Sequence, residues 1–284
     1  MQLITEIIQI PFMQRALLGS VMLASLLGLF GTFIVPRKLS FMADGIAHAS
    51  LIGIAIGILL GGIPLIWAAA VAIILGSILA FVDDSNLVTH DSLIGVFLAG
   101  GMSAAIIIMS LTPGYKPELF SYLFGNILSI TWPDIYLLAV FFISTLVLFK
   151  YQWRTLVLTT IHRELSSVMG LPARTTKYFL FVGTSLALIA GVKLLGVVLI
   201  SALLIIPFTS ANQVSYSLRT TVIMTQLFAI FGSIAGIILS YIFDLPTGPS
   251  VAILLVATFL VTLLVAKVNE APIWKHDHIE RESS

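Results

Sequence analysis

Asp44 and His48 are the residues whose types and spacing could do chemistry. They open an apolar run, Ile46 to Leu60, that reads as a membrane helix. Four residues apart, they share one helix face, separated by about 40° at roughly 100° per residue. An imidazole nitrogen and a carboxylate oxygen are both ligands that Zn²⁺ accepts. Two ligands from one chain leave coordination positions for water or a second subunit. A transport site should be incomplete in this way, because a fully caged ion would not leave. Asp44 alone would also serve as a helix-start acid. The pair opening an apolar helix, where ionisable groups are costly, carries the functional reading. Gly53, Gly57 and Gly61 follow at intervals of four. Gly53 lies about 180° round the helix from Asp44, so this side can form a ridge of close contact with a neighbouring helix.

The elements that must position the pair follow from composition. With 284 residues, 59% hydrophobic and 10% charged, the chain departs far from the roughly one-quarter charged content of soluble domains. Its mean hydropathy is +1.11. The class is all-α: a single polytopic transmembrane helical bundle over residues 1–284, with no soluble second domain. Cysteine is absent, which excludes disulfides and thiolate metal sites and leaves His, Asp, Glu and backbone oxygen as ligands. A net charge of +1 without a basic arm gives no reason to expect a nucleic-acid partner. Glu6 and the lack of a basic leader argue against a cleaved signal peptide.

Taken in order, residues 1–11 are amphipathic and spans are expected at about 13–35, 44–61, 64–82 and 92–111. The segment 116–134 is too polar to cross and reads as a short surface or re-entrant helix beginning near Pro117. A fifth span at about 135–149 precedes the longest polar stretch, 150–177. Further spans are expected at about 178–192, 195–211, 221–243 and 250–266, the first two divided near Lys193. Merging those two gives eight spans instead of nine. With nine spans and the N-terminus outside, Arg37, Lys38, Lys150, Arg154, Arg163, Arg174, Lys177, Arg219, Lys267, Lys275 and Arg281 fall in the cytoplasm. Only Arg15, Lys116 and Lys193 fall outside, the asymmetry that the positive-inside rule demands.

Other polar groups invite plainer readings. Asp83, Asp84, His90 and Asp91 look like a metal cluster but sit in a polar loop and read as solvated, and His276 and His278 could touch metal weakly but are explained as well by an exposed charged tail, 267–284. Glu118 and Asp244 read equally well as cation-attracting acids and as helix-start or turn residues. The stretch 150–177 is either an ordinary loop or a helix that docks a soluble motor. Pro207 would kink its span and free a backbone carbonyl, as a structural feature or as a gate. No G-x-x-x-x-G-K-[ST] occurs, so the chain does not bind ATP through a P-loop, and no H-E-x-x-H supports a zinc protease. An intramembrane enzyme would need a third catalytic group near Asp44 and His48, and the apolar spans offer none. A secondary transporter would call for an inverted repeat, which is not found.

Three blocks resemble the membrane permeases of bacterial ABC importers for zinc, manganese and iron. Ser40-Phe-Met-Ala-Asp44-Gly-Ile-Ala-His48-Ala-Ser-Leu is similar to the family's Asp-x-x-x-His-Ala-Ser block. The run from Gly191 to Pro207 is similar to its Leu-Leu-Ile-Ile-Pro block. Tyr122-Leu-Phe-Gly-Asn126 with Asp244-Leu-Pro-Thr-Gly-Pro-Ser250 looks most like the zinc branch. The resemblance implies a permease of the metal and vitamin B12-like type in the bacterial inner membrane, with eight or nine spans. It implies a transport subunit and not an enzyme. The expected partners are a second copy of the permease, cytoplasmic ATP-binding subunits and an extracytoplasmic metal-binding receptor. Zinc, with manganese as the alternative, would be cargo and not a permanent cofactor. Asp44 and His48 fall on positions used for the translocated ion. The region 152–176, with Arg163, Glu164 and Gly170, falls where the ATPase is coupled, and Pro207, the candidate gate, closes the Leu-Leu-Ile-Ile-Pro block. Asn212, where relatives often carry Arg, and His162-Arg163, where an acidic-Pro pair is usual, depart from the pattern and bear on ATPase docking.

Overall fold

A computed structural model of the chain describes residues 10–83, 89–111, 125, 130–161 and 169–268. Every regular element among them is helical. α1 spans Pro11–Ile34 and continues into a 3-10 turn, Val35–Arg37. α2 (Met42–Ala49) and α3 (Leu51–Leu59) follow, then α4 (Pro64–Val82) and α5 (His90–Ser110). α6 (Trp132–Ile161) is the longest helix, with 30 residues. α7 (Ala173–Leu195), α8 (Val197–Val214), α9 (Leu218–Ile242) and α10 (Thr247–Val268) complete the bundle. Among the described residues eight helical segments are long and apolar enough to cross a membrane, α2 and α3 counting as one, and α8 adds a shorter apolar helix. The chain is a multi-pass membrane protein.

α1 is the axis of the fold. It is apolar on all sides, as a helix surrounded by others must be, and it packs against α6, α7, α8 and α9. Pro11 occupies its first turn, where a missing N–H costs nothing. In lipid there is no hydrophobic drive between helices, so close approach over small residues holds them together. Gly31 of α1 is such a point: a Cβ there would lie 2.1 Å from the Leu204 carbonyl oxygen of α8. Interhelical hydrogen bonds add to this. Ser25 of α1 donates to Gln226 Oε1 of α9 at 2.7 Å, and Gln226 returns Nε2–H to the Ser25 carbonyl at 3.1 Å.

The structure redraws several expected boundaries. The fifth helix does not stop at 149: it runs through Lys150 and Arg154 to Ile161. Trp153 sits edge-on to Phe33, and Arg37 donates to the hydroxyls of Thr159 and Thr160, so the polar part of α6 is held by the end of α1. The C-terminal side of the polar stretch is also helix. α7 begins at Ala173 and buries Lys177, whose ammonium lies 3.6 Å from Asp83. Within the expected coupling region 152–176, residues up to Ile161 and from Ala173 onward are therefore helical, while 162–168 lie outside the described residues.

The division expected at Lys193 falls instead at Gly196, whose φ of 79° and ψ of 160° lie in a region that glycine tolerates and other residues resist. Lys193 itself is in the last turn of α7 and pairs with Asp134 at 2.7 Å. The single helix expected over 44–61 is two pieces, with the junction at Ser50. Ser50 keeps right-handed helical angles (φ −68°, ψ −16°) and bonds its hydroxyl to the Ala47 carbonyl, so the helical path continues. Gly53 and Gly57 form the expected close contact: Cβ atoms there would fall 2.5 Å from Ala68 and Pro64 of α4. Gly61 has left the helix and adopts φ 66° in the turn to α4.

Asp244 is likewise an exposed turn residue, with φ 50°. Asp91 is exposed in the first turn of α5, after the Thr89 cap. Asp84, Glu118, the bulk of 116–134 and the tail from 269 onward, with His276 and His278, lie outside the described residues.

Candidate metal site

The site is built on α2, which is clamped by close contact with α5. Gly45 lies under Ile94, where a Cβ would be 2.9 Å from the side chain. Gly101 of α5 lies so close that a Cβ there would be 2.2 Å from Ala49 Cα. These contacts flank Asp44 and His48 and fix the rotation of the short helix. α8 closes another side and brings Ser201, which is buried.

Asp44 and His48 are both half-buried. Asp44 Oδ1 accepts the hydroxyl of Ser201, across 157 positions of sequence. His48 Nδ1 lies 2.9 Å from the Asp44 carbonyl oxygen. A carbonyl oxygen only accepts, so Nδ1 carries the proton and neutral His48 keeps its lone pair on Nε2. In the neutral ring the helix's own backbone thus leaves Nε2 as the nitrogen able to bind a metal. Among the described residues no lysine or arginine pairs with Asp44. Its charge is held by a neutral donor and is not cancelled.

Among the described residues no group of three His, Cys, Asp or Glu side chains comes together. One chain offers one imidazole nitrogen and one carboxylate, and a divalent ion needs further donors from water or another chain.

Pro207 lies on α8, six residues beyond Ser201 and about 9 Å further along the axis. It is buried, and the helix continues through it to Val214. Without an N–H, Pro207 deprives the Leu203 carbonyl of its usual helical donor. The next carbonyl, that of Leu204, is the one lying against Gly31 of α1. The proline and the hydroxyl that touches Asp44 are therefore on one helix, which packs on the axis of the fold one residue past the carbonyl left without a donor. Gly170 stands apart in an exposed turn before α7, with φ 63°. Arg163 and Glu164 lie outside the described residues. Asn212 lines a cavity of about 150 Å³ with Pro36, Thr160 and Ser217.

Ser201 is the site residue that sequence reasoning passed over. Its signal was faint: a lone hydroxyl in an apolar run, which in a membrane helix usually bonds its own backbone.

A family model described as the ABC 3 transport family matches residues 9–266. This chain belongs to that family. Within the ABC 3 family it is 29% identical over 248 residues to the high-affinity zinc uptake system membrane protein ZnuB of Haemophilus influenzae, covering 87% of this chain and 95% of the relative. It is 28% identical over 261 residues to the manganese transport system membrane protein MntC of Halalkalibacterium halodurans, covering 91% and 88%. Among solved structures, PsaBC from Streptococcus pneumoniae in complex with Fab superposes with a TM-score of 0.84 at 26% identity, covering 95% of this chain and 97% of that one. The ABC 3 family assignment and the fold therefore rest on nearly the whole described bundle.

Proposed function

We propose that the chain is the membrane permease subunit of an ATP-driven importer for a divalent metal ion, zinc first. One observation carries the reading: a buried helix presents an uncancelled carboxylate and an imidazole with Nε2 open, one turn apart, inside a membrane bundle. The resemblance to zinc and manganese uptake proteins supports the class of cargo. The working unit is a homodimer in the bacterial inner membrane, with cytoplasmic ATP-binding subunits and an extracytoplasmic receptor that delivers the ion. Asp44 supplies charge and His48 Nε2 supplies nitrogen as transient ligands. Ser201 holds the carboxylate in a fixed rotamer without neutralising it. Movement of α8 about Pro207 would displace Ser201, and with it the carboxylate, linking gate and site through one helix. Arg163, Glu164 and Gly170 belong to the connector that receives the ATPase, on the cytoplasmic side by the positive-inside asymmetry.

Manganese is the second reading, because a manganese relative matches as well as a zinc one. A ligand set richer in oxygen than in nitrogen favours manganese. The test is uptake by the complete transporter in proteoliposomes, with zinc and manganese supplied separately and in competition, alongside the ATPase rate. Normal uptake of both metals by Asp44→Ala with His48→Ala would remove the pair from the pathway.

A further inference from the structure

An open groove of about 420 Å³ lies between α4, α6 and α7, away from Asp44 and His48. Its walls are apolar, with Ile66, Phe141 and Leu186 among them, except at one end, where Asp134 and Lys193 both line it. These two form the 2.7 Å ion pair and each is 28% exposed. Asp134 Oδ2 accepts three hydrogen bonds, from Lys193, the Thr131 amide and the Thr131 hydroxyl. Among the described residues its Oδ1 accepts none, and the Lys193 ammonium has donors beyond the one aimed at Asp134. Beside the pair, Trp132 and Tyr136 stack at 6.2 Å with both rings exposed, the amphipathic belt that marks the membrane–water interface. From Lys193 the groove follows α7 to Leu186, seven residues and about 10 Å along the helix.

We propose that this groove binds one phosphatidylethanolamine molecule. An acyl chain lies along the apolar walls and the headgroup caps the ion pair. The pair presents a carboxylate and an ammonium side by side at headgroup level, the charge complement of a zwitterion: Lys193 donates to the lipid phosphate and Asp134 Oδ1 accepts from the primary ammonium. Phosphatidylcholine has no N–H for Asp134 and phosphatidylglycerol has no cation, so neither satisfies both groups. The proposal does not depend on the identity of the transported metal.

The full chain, purified in detergent and delipidated, would be incubated with palmitoyl-oleoyl phosphatidylethanolamine, phosphatidylcholine or phosphatidylglycerol and examined by native mass spectrometry. The expected result is one retained phosphatidylethanolamine per chain, bound roughly tenfold more tightly than phosphatidylcholine, the worth of a hydrogen bond to a charged group. Ala190→Phe would fill the groove from α7 and abolish the retained lipid while leaving the ion pair in place. Ala69→Leu does the same from α4 should the larger side chain prevent folding. Equal retention of the three lipids, undiminished phosphatidylethanolamine in a folded groove variant, or a second copy of the chain covering this face in place of lipid would each overturn the proposal.

Discussion

Asp44 and Asp134 are both carboxylates at helix starts in an apolar bundle, yet their neighbours differ in the one respect that matters to a cation. Asp134 lies against a lysine ammonium, with two further donors from Thr131 on the same oxygen. Asp44 has a serine hydroxyl. An ammonium cancels the charge that would draw in a divalent ion, whereas a hydroxyl orients the carboxylate and leaves the charge in place. The first arrangement ties α6 to α7; the second leaves the carboxylate free for the ligand role proposed for it. A buried acid is thus no sign of a metal site until its partner is known, and the partner comes from a distant part of the chain.

The contrast can be broken most directly at the ligands. Asp44→Ala with His48→Ala should lower metal uptake in proteoliposomes by more than about two orders of magnitude, beyond what losing an outer-shell partner costs, while receptor and ATPase subunits still assemble. Packing around α2 comes next. Gly101→Val would drive side-chain atoms into Ala49 and should destabilise the protein by at least the ~1–3 kcal/mol of an overpacked core, read as a lower midpoint in thermal unfolding. The adjacent Gly100→Ala, with nothing within 4 Å, should be neutral or slightly stabilising through helix propensity. Equal effects at the two glycines would refute the α2–α5 clamp.

Ser201→Ala should weaken metal affinity by about tenfold, the usual cost of removing a group that orients a ligand. Isothermal titration with zinc would measure it; unchanged affinity would mean that the hydroxyl does not position Asp44. Lys193→Met should have the smallest effect, a loss of about 1 kcal/mol or less in thermal stability, because the pair is partly exposed and Thr131 still serves Asp134. A larger change in metal affinity at Lys193 than at Ser201 would reverse the assignment of the two acids.

Local pattern carried much of this molecule. Continuous apolar runs between Pro- and Gly-rich turns located the helices, because lipid leaves the backbone no other way to satisfy its hydrogen bonds. The i, i+4 spacing placed Asp44 and His48 on one turn, and the four-residue glycine interval foretold the contact of α3 with α4 at Gly53 and Gly57. Polarity misled where a charged residue was taken for the end of a helix. Lys150 and Arg154 continue α6, Lys177 lies within α7, and Lys193 ends its last turn beside Asp134. A lysine looks like a boundary in sequence because its cost in lipid depends on a partner, and Asp83 and Asp134 lie far from Lys177 and Lys193 along the chain.

The sequence by itself determined the all-helical membrane class, the absence of thiolate ligands and the pairing of acid and imidazole, since each follows from residue type and a fixed helical period. Only the tertiary structure decided which acid meets a lysine and which a serine, and that the helix carrying Ser201 and Pro207 reaches both the site and α1. Those properties arise from contacts between helices, and helical periodicity carries no information about which helices meet.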